Sequence, residues 1–111
     1  MIDYLNIMMN LQKNDEYIIS KLTIFYEFYS IVDTNEFNKL SIENINDIID
    51  FLHSVYIEYK HSNYMYPKLS DAALEVCNDD LRCLLDIILN GTSDDKFNLE
   101  KKIIDKLDKM R

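Results

Sequence analysis

Residues 15–33, DEYIISKLTIFYEFYSIVD, decide how the rest of the chain is read. At helical spacing Ile18, Leu22, Phe25, Tyr29 and Val32 fall on one face. Ile24, Phe28 and Ile31 fall on a second, and Ile19 and Tyr26 widen both. Only Ser20, Thr23, Glu27 and Ser30 form a polar stripe. A helix apolar on most sides has to be packed on most sides, so the spacing predicts the central helix of a bundle. The β-branched and aromatic residues of TIFYEFYSIV also suit a strand, but the alternation that a half-buried strand needs is missing.

Working outward, a first helix is expected over Asp3–Gln12, with Tyr4, Ile7, Met8 and Leu11 facing inward and Lys13-Asn14-Asp15 ending it. Asn14 or Asp15 then caps the central helix, which stops near Asp33-Thr34-Asn35. A short polar connection follows, with Phe37 plugging the edge of the core. Ser41 reads as the N-cap of a third helix, Ile42–Lys60, that buries Ile45, Ile48, Ile49, Leu52, Val55, Tyr56 and Tyr59. Pro67 disfavours helix at Tyr66, and Ser70 caps a fourth helix, Asp71–Leu89. Leu74, Cys77, Leu81, Leu84, Leu85 and Ile88 keep one helical phase through Asn78-Asp79-Asp80, which favours a single helix with room for a kink. Gly91 is placed to end it; Asn90-Gly91-Thr92 fits a glycosylation triplet but reads here as a helix stop. A Ser93/Asp94 cap opens a fifth helix, Asp95–Lys109, that packs Leu99, Ile103, Leu107 and Met110 and exposes lysines. The fold class is therefore all-α: a compact bundle of four to five helices, the second one central, as a single domain over residues 1–111.

Composition agrees. Of 111 residues 48% are apolar, and only one is Gly and one Pro. All-β folds need many turns and turns draw on those two residues. At this length folding buries roughly two-thirds of the unfolded chain's surface, enough for a core without metal or disulfide support. The formal charge is −8. It disfavours direct binding to nucleic acid or an anionic membrane and suits a basic protein partner. The balance is uneven, with residues 1–95 at net −11 and residues 96–111 at net +3. The opening MIDYLNIMMN carries Asp3 where a secretory signal needs positive charge, and no apolar run approaches the ~18 residues of a membrane span. A cytoplasmic protein, more readily a monomer than an oligomer, is the expectation.

The residue types that carry chemistry are sparse. A single Gly leaves no loop to cradle phosphates, and no Ser or Cys stands in a recognisable nucleophile context. His53 and His61 are expected as an exposed pair without a carboxylate at ligand spacing. Asn78-Asp79-Asp80 lacks the Gly and closing Glu of a calcium loop. Cys77 and Cys83 do not have zinc spacing. On one helix they would stand about 240° apart around the axis, too far round to bridge. No enzymatic activity, cofactor or metal is expected.

Two features rise above this background. Helix three carries Glu43, Asp47, Asp50 and Glu58, and helix four Asp71, Glu75, Asp79 and Asp86. Glu43/Asp47 and Asp71/Glu75/Asp79 repeat every four residues, where like charges cost a few tenths of a kcal/mol per pair. An ordinary solvated face is the plain reading; a binding surface for a basic partner is the functional one. Tyr56, Tyr59, Tyr64 and Tyr66 cluster in and beside the loop joining the two acidic helices. Tyrosine is enriched at interface hot spots, although the same four rings would also line a bundle edge. The candidate partner-binding residues are Glu43, Asp47, Asp50, Glu58, Tyr59, Tyr64, Tyr66, Asp71, Glu75 and Asp79.

In size, acidity and the segment EYKHSNYMYPKLSDAALE (58–75), the chain resembles the small helical immunity proteins that bacteria carry against nuclease toxins, of the colicin and contact-dependent inhibition kind. The resemblance implies a non-enzymatic inhibitor that covers a basic toxin domain, its affinity resting on steering and a few buried anchors. The alternative is a virus-encoded inhibitor: a phage nucleic-acid mimic, which needs denser acid, or a poxvirus-type helical binder of a host groove, which needs no acidic focus. A purely structural subunit would need a large apolar patch for assembly.

Overall fold

Ile24, Phe25 and Phe28 are wholly buried on helix α1 (Ile18–Ile31), the heart of the stretch that predicts a helix. The structure, a computed structural model, describes residues 18–32, 34–59 and 65–110, with the side chains of residues 34 and 65–67 excepted. The helix expected over Asp3–Gln12, and Asn14 or Asp15 as a cap, lie outside these residues. Five more helices follow: α2 (Thr34–Phe37), α3 (Ile42–Tyr59), α4 (Met65–Glu75), α5 (Leu81–Asn90) and α6 (Ser93–Met110). Among the described residues there is no strand. The Cα radius of gyration is 13.1 Å, close to the ~13 Å of a well-packed chain this long.

Among the described residues the packing does not single out α1 as its centre. Helix α1 leans on α3 and α4, while Ile19 is 78% exposed, Tyr26 48% and Ile31 40%. These three residues mark its open side, while Ile24, Phe25 and Phe28, drawn from both expected apolar faces, are buried. Among the described residues the helices that touch most others are α3 and α4, each against α1, α5, α6 and one another. Helix α3 buries Ile45, Ile48, Ile49, Leu52, His53, Val55 and Tyr59. Helix α4 manages the same centrality with small side chains: Ser70, Ala72 and Ala73 are wholly buried beside Leu69. Small residues at a contact let helix axes approach closely, a signal that apolar periodicity alone does not carry.

Phe37 does plug the core, from the one-turn helix α2. Its ring is fully buried, with centroids 6.0 Å from Phe25, 5.9 Å from Phe28 and 5.4 Å from Tyr29. Ser41 caps α3 as expected, Oγ accepting from the Asn44 amide at 3.1 Å. His53, expected exposed, is only 4% exposed and lies beside Tyr56; His61 is outside the described residues.

The single helix expected over Asp71–Leu89 is two. Helix α4 begins six residues earlier and takes Tyr66 and Pro67 into its first turn, where a missing amide hydrogen costs nothing. Ser70 is thus mid-helix and buried, not a cap. After Glu75 the chain turns through Asn78 (φ 58°) and Asp79 (φ 59°), both left-handed. The Leu74 carbonyl accepts from the Cys77 amide at 3.0 Å and the Asp79 amide at 2.7 Å, closing off α4. Asp80 then caps α5, Oδ1 accepting from the Arg82 amide at 2.9 Å. Asn and Asp are the non-glycine residues that best tolerate this backbone, and their side chains compete for backbone amides. The apolar phase persisted because Leu74 and Cys77 finish one buried face and Leu81, Leu84 and Ile88 begin the next.

Helix α6 is opened by Thr92, not Ser93 or Asp94. Thr92 Oγ1 accepts from the Asp95 amide at 3.1 Å while Asp95 Oδ2 accepts from the Thr92 amide at 3.0 Å, a reciprocal cap. Gly91 ends α5 with an ordinary φ of −74°. Its role is close approach: a Cβ there would collide with the Ile87 carbonyl oxygen.

Candidate protein-binding site

The turn between α4 and α5 builds one wall of a cleft of about 740 Å³. Ile31 and Val32 from the end of α1, Leu74 of α4, Leu81 of α5 and Met110 of α6 give it apolar lining. Glu36 of α2, Asp71 and Glu75 of α4, Asp79 and Asp80 of the turn, and Arg82 of α5 supply the charged groups. Five carboxylates thus face one guanidinium around an apolar floor. Asp71 and Glu75 reach the cleft because they stand one helical turn apart; Asp79 reaches it because the left-handed turn carries it there.

Among the described residues three ion pairs involve the cleft's carboxylates, one of them local, with Lys39 Nζ 3.9 Å from Glu36 Oε1. Arg82 Nη2 donates to Glu36 Oε1 at 3.0 Å, and its Nε to Oε2 at 3.4 Å, tying α5 to α2. Lys106 of α6 stands 3.8 Å from Glu75. The Arg82–Glu36 pair joins residues 46 apart in sequence, so no periodicity points to it; the isolation of Arg82 among acids is the only hint. Glu36 and Asp80 were likewise not among the expected site residues.

The expected residues on α3 do not join this cleft. Asp47 and Asp50 line a separate depression of about 360 Å³ with Phe51, Ser54, Ile88, Leu89 and Lys96, and the two clefts share no residue. Asp50 is committed within the fold, paired with Lys21 of α1 at 3.1 Å. Glu43 is exposed and lines neither cleft; Glu58 is exposed and faces Glu100 of α6. Burial first, and then the Glu58 charge, raise the Glu100 carboxyl above its usual value. Tyr59, expected to contact a partner, is 3% exposed and donates its hydroxyl to Asp108 Oδ1 at 2.9 Å. It fastens α3 to α6 and presents no ring to a partner. Tyr64 and the Tyr66 side chain are outside the described residues.

Cys77 is buried and Cys83 exposed, both as free thiols. The turn removes the single-helix geometry that set them far apart. Burial first, and then the neighbouring Cys83 thiol, push Cys77 up to about 12. Among the described residues no group of three or more His, Cys, Asp or Glu side chains is arranged to hold a metal ion, and no helix is long and apolar enough to cross a membrane. No protein-family model, curated protein or solved structure matches the chain.

Proposed function

We propose that this chain is a non-enzymatic protein-binding inhibitor that neutralises a basic toxin domain, in the manner of a bacterial immunity protein, with the α4–α5 cleft as its principal contact. The observation that carries the reading is the cleft's composition: five carboxylates against one guanidinium, set on an apolar floor. Such an arrangement steers a cationic surface in and then gives it apolar area to cover. Asp71, Glu75 and Asp79 are the members of the expected acidic set that stand there. Glu43 and Asp47 become an outer field, and Tyr59 belongs to the scaffold.

The test is growth protection. Each reading frame flanking this gene is expressed alone and together with this chain. The expected result is that one flanking product arrests growth, that it is basic, and that co-expression relieves the arrest through a 1:1 complex. If no flanking product arrests growth, or if relief persists with Asp71, Glu75 and Asp79 all changed to Lys, the proposal fails.

A further inference from the structure

The cleft is already spanned by a cation of the protein's own. Arg82 lies across it on Glu36, yet its side chain remains 77% exposed. Exposed ion pairs contribute little net stability, because both groups interact nearly as well with water. The guanidinium therefore marks a cation position while holding it loosely. Around it, Asp80 is committed to the α5 cap and Glu75 has Lys106 nearby. Asp71 and Asp79 have no cation partner among the described residues. Leu74 and Leu81 lie beneath, 8% and 7% exposed. The volume, about 740 Å³, suits a few side chains and is too small for a whole helix.

We infer, building on the proposed function, that the cleft docks a basic amphipathic segment of the partner, whose arginine displaces Arg82 from Glu36 while an adjoining aliphatic side chain seats on Leu74 and Leu81. Charge complementarity selects the partner's sign, since Asp71 and Asp79, without a cation partner among the described residues, repel an acidic segment. The Glu36 carboxylate, already gripped by two guanidinium nitrogens, favours arginine over lysine, because only the planar fork repeats that pairing. The apolar floor selects a segment over a free hydrated cation.

The experiment titrates ¹⁵N-labelled protein at low salt with a short acetylated, amidated peptide in which arginine and leucine side chains adjoin on one side. Control peptides replace Arg with Glu, Arg with Lys, or Leu with Ser. The expected result is saturable 1:1 binding with shifts centred on Glu36, Asp71, Leu74, Asp79 and Arg82, and weaker binding of every control. Changing Asp71→Asn together with Asp79→Asn weakens binding about tenfold. Changing Arg82→Ala tightens it several-fold, since the guanidinium that competes for Glu36 is gone. Unchanged helical circular dichroism shows that each variant is folded. Absence of saturable binding, shifts centred on Glu43 and Asp47, equal binding of the Ser-for-Leu peptide, or no tightening with Arg82→Ala each overturns the inference. Growth protection separates the two claims. Protection without cleft binding leaves an inhibitor with another contact surface; cleft binding without protection leaves a basic-segment site whose partner is not a toxin.

Discussion

Tyr59 on α3 donates its hydroxyl to Asp108 on α6 across 2.9 Å, joining residues 49 apart in sequence. The ring is buried and its acceptor is charged, so the bond belongs to the stronger class. Tyr59→Phe keeps the packing and should cost about 1–2 kcal/mol; Tyr59→Ala, which also empties a core position, should cost about 3–5 kcal/mol. Urea unfolding measures both. A Tyr59→Phe variant as stable as the parent would contradict the role assigned to this bond.

Phe37 tests the core from its edge. Although it sits on a four-residue helix, its ring touches Phe25, Phe28 and Tyr29. Phe37→Ala should therefore cost about 3–5 kcal/mol, as should Phe25→Ala, while Glu27→Ala costs under about 0.5 kcal/mol. Because Phe25 and Phe37 touch, the double variant should lose less or more than the sum of the two. Strict additivity in urea melts would mean that the cluster is not formed.

The helices were legible in the sequence wherever one apolar face met one clear cap, as in Ser41 with Ile45, Ile48, Ile49 and Leu52. The depth of Phe37 was legible too, since a lone aromatic in a polar connection has few other places to go. What periodicity could not give was which helices sit at the centre. Ser70, Ala72 and Ala73 look weakly apolar, yet their smallness is what lets α4 pack on all sides. The Asn78–Asp79 break was hidden because two buried faces happened to share one helical phase. Of the candidate cleft, the carboxylates of Asp71, Glu75 and Asp79 were visible by their spacing. Glu36 and Arg82 were not, because their pairing depends on how α2 and α5 meet.

The thiols should differ sharply in reactivity. The thiolate is the nucleophile, and Cys77, pushed up to about 12 by burial and by Cys83, holds almost none near neutrality. Iodoacetamide at pH 8 should add once to the folded protein, at exposed Cys83, and a second time only in urea. Peptide mapping that finds Cys77 labelled first in the folded state would contradict this.

Glu100 gives a pH dependence with a defined sign. Its folded carboxyl is raised by burial and by Glu58. Between the unfolded value of about 4.3 and that raised value, the native state binds more protons. Stability from this group therefore falls as pH rises through the window, and the penalty is complete above it. Glu100→Gln should be more stable than the parent at pH 7, with the difference vanishing below about pH 4. Melting temperatures across that range decide it; a Gln variant less stable at pH 7 would be the opposite result.

The central claim is that the α4–α5 cleft, and not the acidic face of α3, receives the partner. Association rates measured by stopped flow against that partner, at several salt concentrations, test it most directly. Reversing Asp71 and Asp79 to Lys should slow association about ten- to a hundredfold at low salt and flatten its salt dependence. Reversing Glu43 and Asp47 should slow it only slightly, and reversing Lys102 and Lys106 should not slow it. Loss of fast association with the Glu43/Asp47 variant, while the Asp71/Asp79 variant still associates like the parent, would contradict the account.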